Sequence, residues 1–213
     1  MPTFQTPEPI AVAVDIMSGD VTVVASDRAD TVVEVRPADA AEKSDVRAAA
    51  ETSIQCAAGT VTVQTRKSWR TRSPFGGSSA IQVRIEVPAG SSLRGTVGLG
   101  SVLGSGDLGD CDLEVATGEI VIERPRGSVT AKIAEGDIRI GEAVRGELRL
   151  ETSVGELAVG IRPGSAARLE TDAVHGTVQN LLAPADSHGV EDMVRVYARN
   201  MYGNIVIAHS VAA

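Results

Sequence analysis

GDCDLEVATGEIVIERPRGSVTAKIAEGDIRIGEAVRGELRLETSVGELAVG, residues 109–160, decides the fold. Gly109 and Gly118, Gly127 and Gly136, and Gly146 and Gly155 are three pairs with one nine-residue spacing, and successive pairs begin 18 and 19 residues apart. Short alternating runs lie between the glycines: CDLEV then EIVI, SVTAKI then DIRI, ELRLE then ELAV. Self-similarity near 20 residues with two strand-like runs per repeat predicts stacked β-coils.

Alignment on the second glycine of each pair matches Cys111, Leu113 and Val115 with Val129, Ala131 and Ile133, and with Leu148, Leu150 and Thr152. Period-two alternation sends these small or aliphatic residues to one face and Glu114, Lys132 and Glu151 to the other. Stacked in parallel register, the outer residues form a ladder of alternating sign, which is the favourable arrangement. The six glycines are structural corners, positions that need positive φ or close backbone approach.

The chain has 213 residues and is 43% apolar, yet its aromatics are only Phe4, Trp69, Phe75, Tyr197 and Tyr202. A core of Val, Ile, Leu and Ala suits narrow coils of pleated strands. The net charge of −8 argues against nucleic acid or an anionic membrane as partner. No apolar run is long enough to span a bilayer, and MPTFQTPEPI at the start is polar and proline-rich, so the expected location is cytoplasmic. Cys56 and Cys111 each share a phase with apolar neighbours and are expected to be small core residues.

Outside the repeats, residues 1–9 read as a tail and 10–208 as one β-repeat domain, with a second tail at 209–213. Within the domain, 10–92 is expected as an antiparallel β-meander: IAVAVDI and VTVVA flank a Ser18-Gly19-Asp20 turn, and 38–51 carries a short helix. Residues 93–180 hold the coils, beginning with a glycine-rich imperfect one and ending with a fourth whose glycines, Gly164 and Gly176, stand twelve apart. Residues 190–208 are expected to close the stack as a C-terminal strand cap, because repeat arrays have atypical ends. The fold class is therefore all-β and β-helix-like.

Several stretches resemble the bacterial putative-adhesin family of β-strand-repeat domains of unknown function. The SGD-type turns carry the likeness: Ser18-Gly19-Asp20, Thr117-Gly118-Glu119, Glu135-Gly136-Asp137, Val154-Gly155-Glu156 and Tyr202-Gly203-Asn204. DVRAA at 45–49, SPFGG at 73–77, VPAGS at 87–91 and LGDCDL at 108–113 are similar to the actinobacterial branch. The resemblance covers about residues 8–208 and implies a β-helix-like repeat fold with no established enzymatic role.

The best candidate for function is the mobile loop 66–79, where Arg66, Lys67, Arg70 and Arg72 set positive charge on an acidic chain and Trp69 and Phe75 are anchor-type residues. The same aromatics could instead cover one end of the stack. Corner acids Glu119, Asp137 and Glu156 would form a carboxylate column, and Asp107, Asp110 and Asp112 are the tight acidic cluster. Solvated turns explain both, so no metal, cofactor or catalytic residue is assigned. His175, His188 and His209 lack metal-ligand spacing. The leading expectation is a non-enzymatic scaffold or interaction module that binds an unidentified protein or itself. A carbohydrate-active or carbohydrate-binding β-helix and a cell-surface adhesin are the alternatives.

Overall fold

The computed structural model describes residues 1–65, 79–182 and 193–210. Among these are the strands β1 (Thr3–Gln5), β2 (Ala11–Ser26), β3 (Asp30–Pro37), β4 (Ser53–Ala57), β5 (Thr60–Gln64), β6 (Ile81–Pro88), β7 (Ser92–Leu108), β8 (Cys111–Pro125), β9 (Val129–Ala143) and β10 (Gly146–Val154). They continue with β11 (Leu157–Ile161), β12 (Ala166–His175), β13 (Val178–Asn180), β14 (Met193–Tyr202) and β15 (Ile205–His209), and the helix α1 spans Lys43–Glu51. All the strands belong to one mixed sheet.

The long strands are layers bent in the middle. β2, β7, β8 and β9 pair in parallel, so that Leu93, Cys111, Val129 and Leu148 of β10 lie side by side. In β8 the first arm buries Cys111, Leu113 and Val115, while the second buries Ile120 and Ile122. The inward phase thus switches from odd to even at the bend, and both arms face one core of Val, Ile and Leu. Later layers divide each long strand in two: β10 with β11, β14 with β15, and β12 with β13.

Glycine makes the bend possible. Gly118 has φ +146, and a Cβ on it would lie 1.8 Å from the carbonyl oxygen of Gly100. Gly136 repeats the geometry one layer on, with φ +136 and the oxygen of Gly118 at 1.8 Å. Each corner glycine is seated on the carbonyl below it, and the column continues through Gly155, Gly203 and Gly176. The other three expected corners, Gly109, Gly127 and Gly146, occupy the far ends of the arms, and each lies close to the backbone of the preceding layer.

Two parts of the stack differ from expectation. Ser18-Gly19-Asp20 is not a hairpin turn: β2 runs through it as one bent strand parallel to β7. Among the described residues, antiparallel pairing is confined to β1 with β3, β3 with β6, and β4 with β5. The same residue types serve a hairpin and a solenoid corner, and the continuing parallel register on both arms decides for the corner.

The C-terminal strands do not end the stack. β14 lies between β10 and β12, and β15 between β11 and β13, so the last segment in sequence is the penultimate layer in space. The outer charges at this boundary are mixed. Glu151 faces Arg199, and Arg199 faces Asp172 at 3.8 Å, which continues the ladder begun by Lys132 and Glu151 at 3.5 Å. Stacking in chain order would bring the acidic positions 151 and 172 together but would also pair Glu147 with Arg168 and Arg149 with Glu170, so charge alone does not set the order.

At the other end β5 and β6 form a layer of their own, in register with the two arms of β2. α1 packs over β3 and β6. Its buried Asp45 accepts the amides of Asp39 (3.1 Å) and Ala80 (3.0 Å), so this carboxylate is satisfied and pins the helix to the sheet.

The cysteines divide. Cys111 is buried as expected, but Cys56 is exposed: on the edge strand β4, outside β5, Ile54 still packs against the core while Cys56 two residues on does not. Burial pushes the Cys111 thiol up to about 12, and the neighbouring Asp110 carboxylate adds to the shift. A thiol reagent is therefore expected to label Cys56 at once and Cys111 only on unfolding; prompt double labelling of the native chain would contradict this burial. Because the folded value lies above the ordinary 9.0, the unfolded chain releases this proton first. The Cys111 contribution is full below pH 9.0 and is lost as the pH climbs toward about 12.

Candidate functional site

The corner column runs along one edge of the stack, and beside it the outer face sinks into a groove of about 680 Å³. Small residues, Gly98, Ala116, Ala134 and Ser153, line its middle because larger ones are absent at this position of successive coils. Met17 closes one end and Met201 with Val174 the other, all three at least half exposed. The ladder Glu114, Lys132, Glu151, Arg199 and Asp172 forms one bank. The groove thus spans the layers from β2 to β12.

Under this edge, polar side chains hold the corners. Thr152 donates to the carbonyl of Gly136 (3.0 Å), and Asn200, one layer on, donates from Nδ2 to that of Gly155 (2.8 Å). Both replace the aliphatic residue found at this position in earlier layers, such as Ile133 and Val115.

Met17 marks the root of the basic aromatic segment. Where β2 crosses the corner in Ile16, Met17 and Ser18, the preceding layer inserts residues 65–80 between β5 and β6. The Met17 amide donates to Oγ1 of Thr65 (3.3 Å), and the Thr65 amide donates to the carbonyl of Asp15 (3.0 Å). Arg66, Lys67, Trp69, Arg70, Arg72 and Phe75 themselves lie outside the described residues, as does His188. Thr65, the last described residue before Arg66, lies at the groove's Met17 end.

The acids considered for metal or acid/base work have other duties. Asp137 Oδ1 accepts the Glu156 amide (2.8 Å), and Arg139 holds both Asp137 (3.2 Å) and Glu119 (2.5 Å). Asp20 accepts the Ser101 amide (3.0 Å), and Asn204 accepts that of Thr177 (3.0 Å), in the same geometry. Where the residue after the corner glycine is Asp or Asn, as at Asp20, Asp137 and Asn204, it caps the equivalent N–H of the adjoining layer. This accounts physically for the Asp or Asn of three of these turns, a role that spacing alone did not disclose. Asp107, Asp110 and Asp112 separate likewise: Asp107 takes Arg126 (3.0 Å), Asp110 the Ser128 amide (2.8 Å), and Asp112 Arg94 (3.3 Å). His175 stacks on Tyr202 with ring centroids 4.7 Å apart.

A solved structure with the same architecture is that of a putative cell adhesion protein from Clostridium sporogenes, 11% identical, covering 98% of each chain with a TM-score of 0.55. The likeness is one of fold. Putative adhesins from Bacteroides fragilis (11% identical, 97% and 95% covered, TM-score 0.30) and Parabacteroides merdae (12%, 97% and 94%, 0.32) align more loosely. No protein-family model and no curated protein matches the sequence. Among the described residues no helix is long and apolar enough to cross a membrane.

Proposed function

We propose that the chain is a non-enzymatic interaction module that binds a protein partner along its corner edge. The observation that carries this reading is the continuity of a groove crossing the layers from β2 to β12 with the root of the basic aromatic segment at Met17. Small side chains along the middle let a partner backbone come close, and the exposed Met17, Met201 and Val174 supply apolar contact at the ends. The cationic and aromatic residues of 66–79 suit an anchor at one end.

Affinity capture from native lysate tests the proposal with three chains: intact, residues 67–79 replaced by a short Gly/Ser linker, and Ala134→Lys in the groove. A partner held by the intact chain and lost from both variants, with melting temperatures unchanged, is the expected result. Equal capture by all three chains would overturn the assignment of this edge.

A further inference from the structure

The two ends of the stack are finished differently. At the N-terminal end β6 is covered by β3 and β1, β5 by β4, and α1 lies across β3 and β6. At the other end, among the described residues, β12 is hydrogen-bonded only to β14, and its far edge is unpaired over ten residues. Its inward residues Ala167, Leu169 and Thr171 are only partly buried, whereas Val194, Val196 and Ala198 beside them on β14 are wholly buried. Val174 and Leu181 on this layer are 60% and 62% exposed. A long strand edge with a half-open core beneath it is a template for pairing with another strand.

The sequence of β12 favours one occupant. Read antiparallel to itself about Leu169, the strand places Leu169 opposite Leu169 of the second copy, Ala167 opposite Thr171, and Arg168 opposite Glu170, the last two pairings occurring twice. A two-fold axis normal to the sheet keeps inward residues on the inward side in both copies, so the two cores continue into each other. Within one chain Arg168 lies beside Arg195 on β14 and reaches Glu170 of its own strand at 3.6 Å; the antiparallel pairing gives both of these exposed charges a further opposite neighbour across the open edge.

We infer that the chain forms a two-fold dimer through antiparallel pairing of β12 with β12 of a second copy, centred on Leu169. The interface is the end of the stack, and it is independent of the partner reading for the groove.

Sedimentation analysis of the whole chain and of two variants, Arg168→Glu and Glu170→Arg, tests the pairing. The unaltered chain sediments as a dimer. Each single variant sets like charges opposite one another twice, and its dimer is weakened about tenfold or more. An equimolar mixture of the two variants restores a dimer, because each supplies the charge that the other lacks. The melting temperature of each diluted variant separates weakened association from unfolding. A monomeric unaltered chain overturns the inference, and so does a dimer indifferent to both substitutions, which would use another surface. Capture at the groove is read separately, by Ala134→Lys, so either proposal can fail alone.

Discussion

Gly136→Ala is expected to cost about 3 kcal/mol and to lower the melting temperature by roughly 10 °C for a chain of this size. Two costs combine at this residue. At φ +136 an L side chain is strained, and its Cβ would stand 1.8 Å from the Gly118 carbonyl oxygen, with Cδ1 of Ile133 at 3.0 Å. The methyl cannot move aside, because the atom it meets is backbone held in register by the neighbouring layers. Gly164→Ala is the control. Gly164 also has positive φ, at +92, but nothing lies within 4 Å of its added Cβ. That substitution should cost only the conformational penalty, about 1 kcal/mol. Equal thermal shifts from the two variants would show that the corners are not seated on one another.

Ending the chain after residue 192 is expected to abolish cooperative unfolding. The truncation removes Val194, Val196, Ala198, Ile205 and Ile207, all wholly buried, and leaves β12 and β13 without the strands they pair with. Burial of the four Val and Ile side chains alone contributes about 8 kcal/mol at ~2 each, comparable to the whole stability of a typical domain. An outermost layer would behave differently, since its removal leaves every remaining pairing intact. A truncated chain that still melts sharply within a few degrees of the intact one would place residues 193–209 at the end of the stack.

Most of the architecture is legible in the sequence because it depends on lengths. Coils of 18 and 19 residues put Cys111, Val129 and Leu148 in one column whatever their identities, and the glycine spacing marks where each layer turns. Spatial order is harder to read, because any strand-glycine-strand unit can pair with any other. Side-chain charge does not settle it: Arg199 separates Glu151 from Asp172, but Arg195 sits between Glu147 and Arg168, which chain order would have paired as opposite charges. The hairpin reading of Ser18-Gly19-Asp20 failed for a related reason: a local turn signal does not say whether the chain reverses or bends. The groove was not legible at all, since it arises from small residues recurring one per layer, Gly98, Ala116, Ala134 and Ser153, at positions that look like ordinary outward-facing sites.

The acids show how geometry reassigns a motif. Asp137 and Asp110 looked like candidates for a cation column or an acid/base pair, but each spends a carboxylate oxygen on a backbone amide of the adjoining layer. An edge tied together in this way presents a fixed surface, which is what a binding module requires and what the groove provides.

Layer order is the claim on which the truncation, the groove and the open end all depend, and engineered disulfides test it most directly. In a Cys56→Ser background, Glu151→Cys with Arg199→Cys joins neighbours on adjacent strands, about 4.8 Å apart and within disulfide reach. Glu151→Cys with Asp172→Cys spans two layers, about twice that distance and beyond reach. Oxidation of the native protein should close the 151–199 bridge and leave the 151–172 pair open. Closure of 151–172 with 151–199 left open would mean that the coils stack in the order of the chain, and would contradict this account.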